Sequence, residues 1–318
     1  MSSTALSFPG VCLACITALS AVTGLAEEPT GGGQESPAPQ TWIDGQHQAI
    51  SQRADGLARW TDSFFGDANS VEDSPSSLIR IRPQYNWDEQ DDDEWSLRAT
   101  GRLYLPVAND RLSLVFLGED EDFDDDFYDP GLVADGESTL DLQYQLRDKL
   151  YHKAYLIAGF KAGPKGKLGA KYRYQRQLQE KTLFRFSEEL FWVGGDGFGT
   201  LTRADLDYRL GQETLLRWAN RAEYSEESNG VEWNSRLAWV WRLDEQSALR
   251  AFTFIRGETD PELLKSRGFG LGYRRQFLRD WLFWEVEPRY AWRKRQRDPD
   301  REGVAMIKLR LEILIGGH

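Results

Sequence analysis

Residues 231–243 read VEWNSRLAWVWRL, a stretch in which apolar and polar side chains alternate. Large apolar residues such as Trp233 and Trp239 fall on one phase of the alternation, and polar residues such as Asn234 and Arg236 fall on the other. Successive side chains of a β-strand point to opposite faces, so this period of two indicates a strand with one apolar and one polar face.

The same alternation recurs from residue 78 almost to the end of the chain. It predicts about fourteen strands, or twelve if neighbouring segments merge. The predicted strands are 78–86, 95–105, 111–118, 137–147, 151–161, 167–176, 181–192, 200–210, 214–224, 231–243, 247–256, 266–276, 281–292 and 303–315.

Strand length distinguishes a membrane barrel from a soluble sandwich. Strands of globular proteins run about 5 to 6 residues, whereas most of these approach the roughly 9 to 11 residues that cross a bilayer at a tilt. Tight turns alternate with longer acidic connections, as in barrels with one periplasmic end. Lipid cannot satisfy an open sheet edge. We therefore predict an all-β fold, a transmembrane antiparallel β-barrel over residues 77–318.

The chain before the strands begins with two segments of distinct composition. Residues 1–26 carry no charged side chain, are largely apolar and are predicted to be a signal peptide. Residues 27–41 are rich in glycine and proline and are predicted to be a flexible linker. Both cysteines, Cys12 and Cys15, lie in the predicted leader, so we expect a mature chain without disulfides or thiolate metal sites.

Residues 42–76 are predicted to be a periplasmic amphipathic helical segment containing a short helix. Ile43, Ile50, Leu57 and Phe64 recur every seven residues and form one apolar stripe. Two interpretations follow from this stripe. The helix either rests on the main domain, or it serves as a plug or an oligomerisation helix.

In this pattern the chain resembles bacterial outer-membrane β-barrel proteins of the porin-like type, over residues 78–315. The segment WTDSFFGD at residues 60–67 is similar to one that precedes the barrel in uncharacterised proteobacterial outer-membrane proteins. The resemblance implies the cell outer membrane of a Gram-negative bacterium, with lipid, lipopolysaccharide and the barrel-assembly machinery as partners. The chain departs from the pattern at residues 315–318, which lack the usual terminal aromatic residue.

The formal net charge of −12 excludes a protein whose main role is to hold nucleic acid, because phosphate binding needs a basic surface. The inward phase of the strands is nevertheless basic, which favours anions in a narrow lumen. The predicted lumen-lining residues are Arg80, Arg82, Arg98, Arg102, Arg173, Arg185, Arg217, Arg221, Arg236, Arg250, Arg274, Arg289, Glu285 and Glu287.

Two interpretations of this basic interior stay open. The arginines either pair across strands with carboxylates and partly fill the barrel, or they leave a surplus that needs solvent, a plug or a ligand. The N-terminal segment carries several acidic residues, including Asp62, and could enter the lumen to offset that surplus. Gly268, Gly270 and Gly272 share the inward phase of one strand, which indicates either close packing of an inserted segment or plain tolerance of small residues at these positions.

Several features fall outside the main pattern. Glu188 and Asn220 are polar residues in the outward phase. The acidic stretches at 88–94 and 119–126 are interpreted as solvated loops, or as loose divalent-ion bridges to lipopolysaccharide phosphates. They do not match a calcium-binding loop, because glycine and glutamate are absent from the required positions.

The leading functional hypothesis is a passive outer-membrane channel for small, preferentially anionic solutes. The alternative is a closed or plugged structural or assembly-associated barrel, and the third is an outer-membrane hydrolase. Only His47, His152 and His318 could act as a histidine base, and none lies in a predicted outward-facing loop. We therefore predict a protein that is not an enzyme and binds no cofactor or metal.

Overall fold

A computed structural model describes one helical segment and most of the strand region. The predicted leader, the linker and the acidic stretch at 119–126 lie outside the described residues. No described helix has the length and apolar character that membrane crossing requires. The described residues are 56–65, 77–91, 93–105, 111–117, 138–149, 151–161, 164–226, 228, 230–260, 262–294 and 301–316.

The architecture is a closed barrel of fourteen antiparallel strands. Fourteen is the predicted number, and the twelve-strand alternative is wrong. The strands are β1 (Leu78–Asp88), β2 (Glu94–Leu105), β3 (Leu112–Leu117), β4 (Thr139–Lys149), β5 (His152–Lys161), β6 (Lys165–Gln179), β7 (Thr182–Val193), β8 (Gly197–Arg209), β9 (Thr214–Ser225), β10 (Val231–Arg242), β11 (Ser247–Thr259), β12 (Glu262–Gln276), β13 (Leu282–Arg293) and β14 (Glu302–Gly316).

Each strand pairs with its neighbours in sequence, and the first strand closes the barrel against the last. Leu78 of β1 lies opposite Gly316 of β14, and Asp88 lies opposite Met306 at the other end of the pair. Pairing of β1 with β14 leaves no open edge between the first and last strands, as a lipid environment demands.

Short connections at residues 180–181, 210–213, 243–246 and 277–281 lie at one end of the barrel, called here the turn end. Because the number of strands is even, the first residue of β1 and the last of β14 also lie there. The opposite end is called the loop end.

Residues 56–65 are helical and form α1, so the predicted short N-terminal helix is confirmed. Every residue of α1 belongs to the predicted stretch 42–76. The parts of that stretch at 42–55 and 66–76 lie outside the described residues.

Candidate functional site

All fourteen side chains predicted to line the lumen are buried in the barrel. Burial alternates with exposure along the strands; in β1, for example, Arg80 is 1% exposed while its neighbours Ile79 and Ile81 are partly exposed. Most of the described polar side chains that are buried in the barrel are therefore ionisable groups.

Three glutamates on β13 and β14 organise one wall of this interior. Glu312 lies 2.7 Å from the Arg82 Nε and 2.6 Å from a terminal nitrogen of Arg274. Glu285 contacts Arg274 and Arg310, each at 3.3 Å. Each carboxylate therefore serves several cations, and the burial of these charges is offset by ion pairs with hydrogen-bond geometry.

Arg250 and Arg289 extend the same network towards the loop end. Arg250 lies 2.8 Å from Glu287, which also contacts Arg289 and has Lys308 at 3.4 Å. On this wall the arginines therefore pair extensively with carboxylates of neighbouring strands, which is the first of the two interpretations of the basic interior.

A second group of ion pairs lies across β7, β8 and β9 near the turn end. The Asp207 carboxylate lies 2.8 Å from Arg185 and 2.7 Å from Arg217. The two arginines project from β7 and β9 onto the aspartate of the strand between them. This arrangement holds two guanidinium groups close together inside the barrel.

The remaining predicted lumen arginines occupy separate places. Arg221 lies 2.6 Å from Glu223, and the Arg236 guanidinium lies 4.2 Å from the centre of the Phe252 ring.

Three further predicted arginines lie on β2 and β6. The Arg102 guanidinium lies over the Tyr104 ring, 5.1 Å from the ring centre. Arg98 is buried on β2 opposite Arg82, and Arg173 is buried on β6.

Helix α1 lies inside the barrel at the turn end and joins the β7–β9 group through Asp62. The Asp62 carboxylate lies 2.6 Å from Arg217 and is also hydrogen-bonded to Arg185. A guanidinium nitrogen of Arg80 donates to the backbone carbonyl oxygen of Ser63 at 3.3 Å. An acidic residue of the N-terminal segment therefore enters the barrel and offsets part of its basic charge.

The apolar side of α1 packs against an apolar area on the inner wall. Leu57, Phe64 and Phe65 form one buried cluster with wall residues of β9, β10, β11 and β13, and Trp60 packs against it. The Phe64 and Phe283 rings meet edge to face with centroids 5.6 Å apart. The wall residues of this cluster are Leu215, Val240, Ala248 and Phe283.

Arginines of the wall cover the aromatic rings of α1. Arg250 lies 4.6 Å from the centre of the Phe65 ring, and Arg242 lies 5.0 Å from that of Trp60. Cation–π contacts of this kind gain strength where water is excluded. Basic residues of the lumen therefore contact the aromatic rings of the helix in addition to the carboxylates of the wall.

The apolar wall residues that hold the helix were not predicted from the sequence. A signal was present, because Leu215, Val240, Ala248 and Phe283 all fall on the inward phase near strand ends that meet at the turn end. Apolar residues in an otherwise charged interior indicate a buried apolar partner.

The three inward glycines lie against side chains of the adjacent strands. A side-chain carbon on Gly270 would overlap the Phe252 ring, and one on Gly268 would lie 2.9 Å from the Phe254 ring. At Gly272 it would lie 3.2 Å from the Glu287 carboxylate. Among the described residues, the glycines thus make room for side chains of β11 and β13.

A cavity of about 500 Å³ lies at the turn end between α1 and the wall formed by β4 to β8. Among the described residues, seven basic residues and one acidic residue, Asp205, line it. Among them only Arg173 and Arg185 were in the predicted lumen set. The basic side chains are Arg59, Lys149, Lys153, Arg173, Arg176, Arg185 and Arg203.

The outer face of the barrel is apolar on most strands. Trp95 is 76% exposed, Leu97 73% and Leu168 58%. A closed sheet with an apolar outer belt of this extent is stable when lipid surrounds it, but it is not stable when water surrounds it. The protein is an outer-membrane β-barrel.

Proteins similar to this barrel are found among solved structures. No family model and no curated protein matches its sequence. Solved structures that are similar include the outer membrane channel DcaP of Acinetobacter baumannii, at 6% identity and a TM-score of 0.46, covering 76% of this chain and 96% of that one. An anion-selective porin from Comamonas acidovorans matches at 9% identity and a TM-score of 0.46, covering 76% and 99%. OccK11 of Pseudomonas aeruginosa matches at 11% identity and 0.44, covering 75% and 95%.

His152, the one histidine among the described residues, begins β5 on the outer face. Its Nδ1 lies 2.6 Å from the Tyr172 hydroxyl oxygen, and its ring packs near that of Tyr174 with centroids 5.1 Å apart. His152 therefore belongs to an aromatic group of the outer surface and is separated from the lumen by the barrel wall.

Proposed function

We propose that the protein is an outer-membrane channel for small anionic solutes, whose path passes beside α1 through the basic cavity at the turn end. The observation that carries the proposal is the lining of that cavity, among the described residues, by seven basic residues and one acidic residue. Rings of arginine and lysine lower the electrostatic cost of bringing an anion into a confined space.

The position of the helix supports a small solute. Helix α1 occupies the side of the interior formed by β9 to β11 and β13, while the cavity lies against β4 to β8. A volume of about 500 Å³ is in the range of small-molecule sites. Phosphate, sulfate and small carboxylates fit these dimensions and this charge.

The division of charge between the two walls supports the same assignment. On the β13–β14 wall, Glu285, Glu287 and Glu312 each contact several cations. Among the described residues that line the cavity, Asp205 is the only acidic one. Arg185 is paired with Asp62 and Asp207, and the other six basic residues give the cavity lining an excess of positive charge.

Reversal potentials test this function. Purified protein in a planar bilayer under a potassium chloride gradient should conduct and prefer chloride. The double variant Arg173→Gln/Arg203→Gln should reduce the anion preference several-fold, because it removes two positive charges from the cavity. Arg279→Gln removes the same kind of charge from an exposed turn and should leave the preference unchanged. Cation preference in the unmodified protein would refute the proposal.

A closed structural or assembly-associated barrel is the second candidate, and the seating of α1 favours it. Asp62 bridges two wall arginines while three apolar side chains of the helix are buried. Under this alternative the unmodified protein would show no conductance at any voltage. Lipid, lipopolysaccharide and the barrel-assembly machinery are proposed as partners for both candidates.

A further inference from the structure

A group of polar side chains lies on the outer face of the barrel, where lipid contact is expected. It is called here the outer polar patch and consists of Glu188 on β7, Thr200 and Thr202 on β8, Asn220 on β9 and Ser235 on β10. All five side chains are partly exposed. The registers place Glu188 opposite Thr202, and Asn220 opposite Ser235.

The patch is organised by hydrogen bonds between neighbouring strands. The Thr202 hydroxyl donates to the Glu188 carboxylate at 2.7 Å, and the Thr200 hydroxyl donates to its other oxygen. The Ser235 hydroxyl donates to the Asn220 side-chain oxygen at 2.7 Å, and the Trp218 indole N–H donates to Ser235 at 2.9 Å. These contacts give the polar groups fixed positions on the surface.

The patch lies at mid-height on the barrel. On β7, Phe184 and Phe186 precede Glu188 on the outward phase, and Leu190 and Trp192 follow it. Apolar residues therefore separate the carboxylate from both ends of the strand. At this height it faces the hydrocarbon core of a bilayer, about 15 Å from either headgroup layer.

The opposite wall provides a contrast. The outward positions of β13 include Trp284, Val286, Pro288 and Tyr290, none of which carries a charge. Polar groups at mid-height are thus concentrated on one side of the barrel among the described strands. A carboxylate held in contact with lipid chains is unfavourable, and ionisable groups inside membranes commonly face protein.

We propose that the outer polar patch is an interface for a second copy of this chain in the membrane. A soluble partner and the lipid headgroups do not reach the midplane of a bilayer, so the occupant is a membrane-embedded protein surface. The patch holds donors and acceptors together, and within one copy the Asn220 side-chain N–H donates to the Ala204 backbone carbonyl oxygen at 3.2 Å. A two-fold axis through the patch would bring the donors of each copy to the acceptors of the other.

The residues around the patch suit close approach of two barrels. Ala204 on β8 lies opposite Asn220 in the register, and Ala222 lies two residues after Asn220 on β9. Both alanines are on the outward phase. Small side chains let membrane-embedded surfaces meet closely, and hydrogen bonds between polar side chains then link them. The proposal is independent of channel function, because it concerns only the outer face.

Cross-linking in native membranes tests the interface. Ala222→Cys is introduced into the full-length chain with Cys12 and Cys15 replaced by serine, and the cells are treated with a short thiol-specific cross-linker. We expect a covalent dimer of twice the chain mass. Val286→Cys lies at mid-height on the opposite wall and should give only monomer under the same treatment.

Native mass spectrometry of the purified protein provides a second measurement. The unmodified barrel should have twice the chain mass, and Glu188→Leu/Asn220→Leu should shift it to the monomer mass. A heat-modifiability gel of the double variant checks that the barrel has folded. A monomer for the unmodified protein together with equal cross-linking at Ala222→Cys and Val286→Cys would overturn the proposal. So would a cross-linked product containing a different membrane protein.

Discussion

The carboxylate of Asp62 lies 2.6 Å from the guanidinium of Arg217, and both side chains are less than 10% exposed. Arg217 also contacts Asp207 of the adjacent strand at 2.7 Å. One arginine thus belongs at the same time to the barrel wall and to the seat of the helix. The position of α1 is coupled to the ion pairs that hold β7, β8 and β9 together.

Asp62→Asn should loosen the helix while leaving the barrel folded. Removing one partner of a buried ion pair costs about 3 kcal/mol, and Asp207 remains to compensate the two arginines. In planar bilayers we expect a larger or more frequently open conductance than in the unmodified protein. Ser63→Ala changes an exposed side chain of the same helix and should behave as the unmodified protein does. Identical currents for all three proteins would contradict an influence of the seated helix on conductance.

Phe283→Ala should weaken the apolar contact between the wall and α1. Truncating a buried phenylalanine costs about 3 to 5 kcal/mol, because its contacts with Phe64 are lost and a cavity remains. We expect a lower temperature of unfolding, measured by the mobility shift of heated samples on gels. Phe283→Leu keeps most of the volume and should lose about 1 kcal/mol. Equal losses for the two variants would argue against tight packing at this position.

Glu312→Gln should destabilise the barrel. The Glu312 side chain is fully buried and pairs with Arg80, Arg82 and Arg274, so its neutralisation leaves three cations without their shared carboxylate. The expected loss is about 4 kcal/mol, measured by urea unfolding in lipid vesicles with tryptophan fluorescence. Glu302→Gln at the exposed start of the same strand should change stability by less than about 0.5 kcal/mol.

The turn between β8 and β9 should show a small pH dependence. A hydrogen bond from the Arg242 guanidinium lowers the pKa of Glu213 below its ordinary value of 4.5. A carboxyl group with a lowered pKa adds stability above pH 4.5, and this contribution disappears as the pH falls through the folded-state pKa.

Because Glu213 is exposed, water screens the pair, and we expect Glu213→Gln to cost less than about 0.5 kcal/mol at pH 7. Unfolding by urea at pH 7 and at pH 3 measures the difference between the two proteins. The difference should be smaller at the acidic pH. A larger cost at pH 3 than at pH 7 would contradict the direction of the pKa shift.

The strands were predictable because lipid contact and a charged lumen impose a strict period of two. The prediction for the strand beginning at Val231 ended at residue 243, one residue beyond the end of β10. Irregular ends were less accurate. The prediction for β12 began at residue 266, whereas β12 begins at Glu262, and a register shift lies opposite this part at Arg256 and Gly257. Periodicity carries no information on such a shift.

Individual partners in the lumen could not be predicted in the same way. The sequence indicated that Asp62 could offset basic charge, but its pairing with Arg185 and Arg217 depends on how the barrel curves and where the helix enters. Likewise, Lys149 and Arg59 line one cavity although they are far apart in sequence. Their proximity results from closure of the sheet, which is a three-dimensional property.

Helix α1 contacts residues of β1, β7, β9, β10, β11 and β13, although it precedes all of them in the chain. Strands from both halves of the sheet therefore converge on a segment that is synthesised and exported before any of them. The contacts that hold the helix are complete only when the strands of both halves are in place.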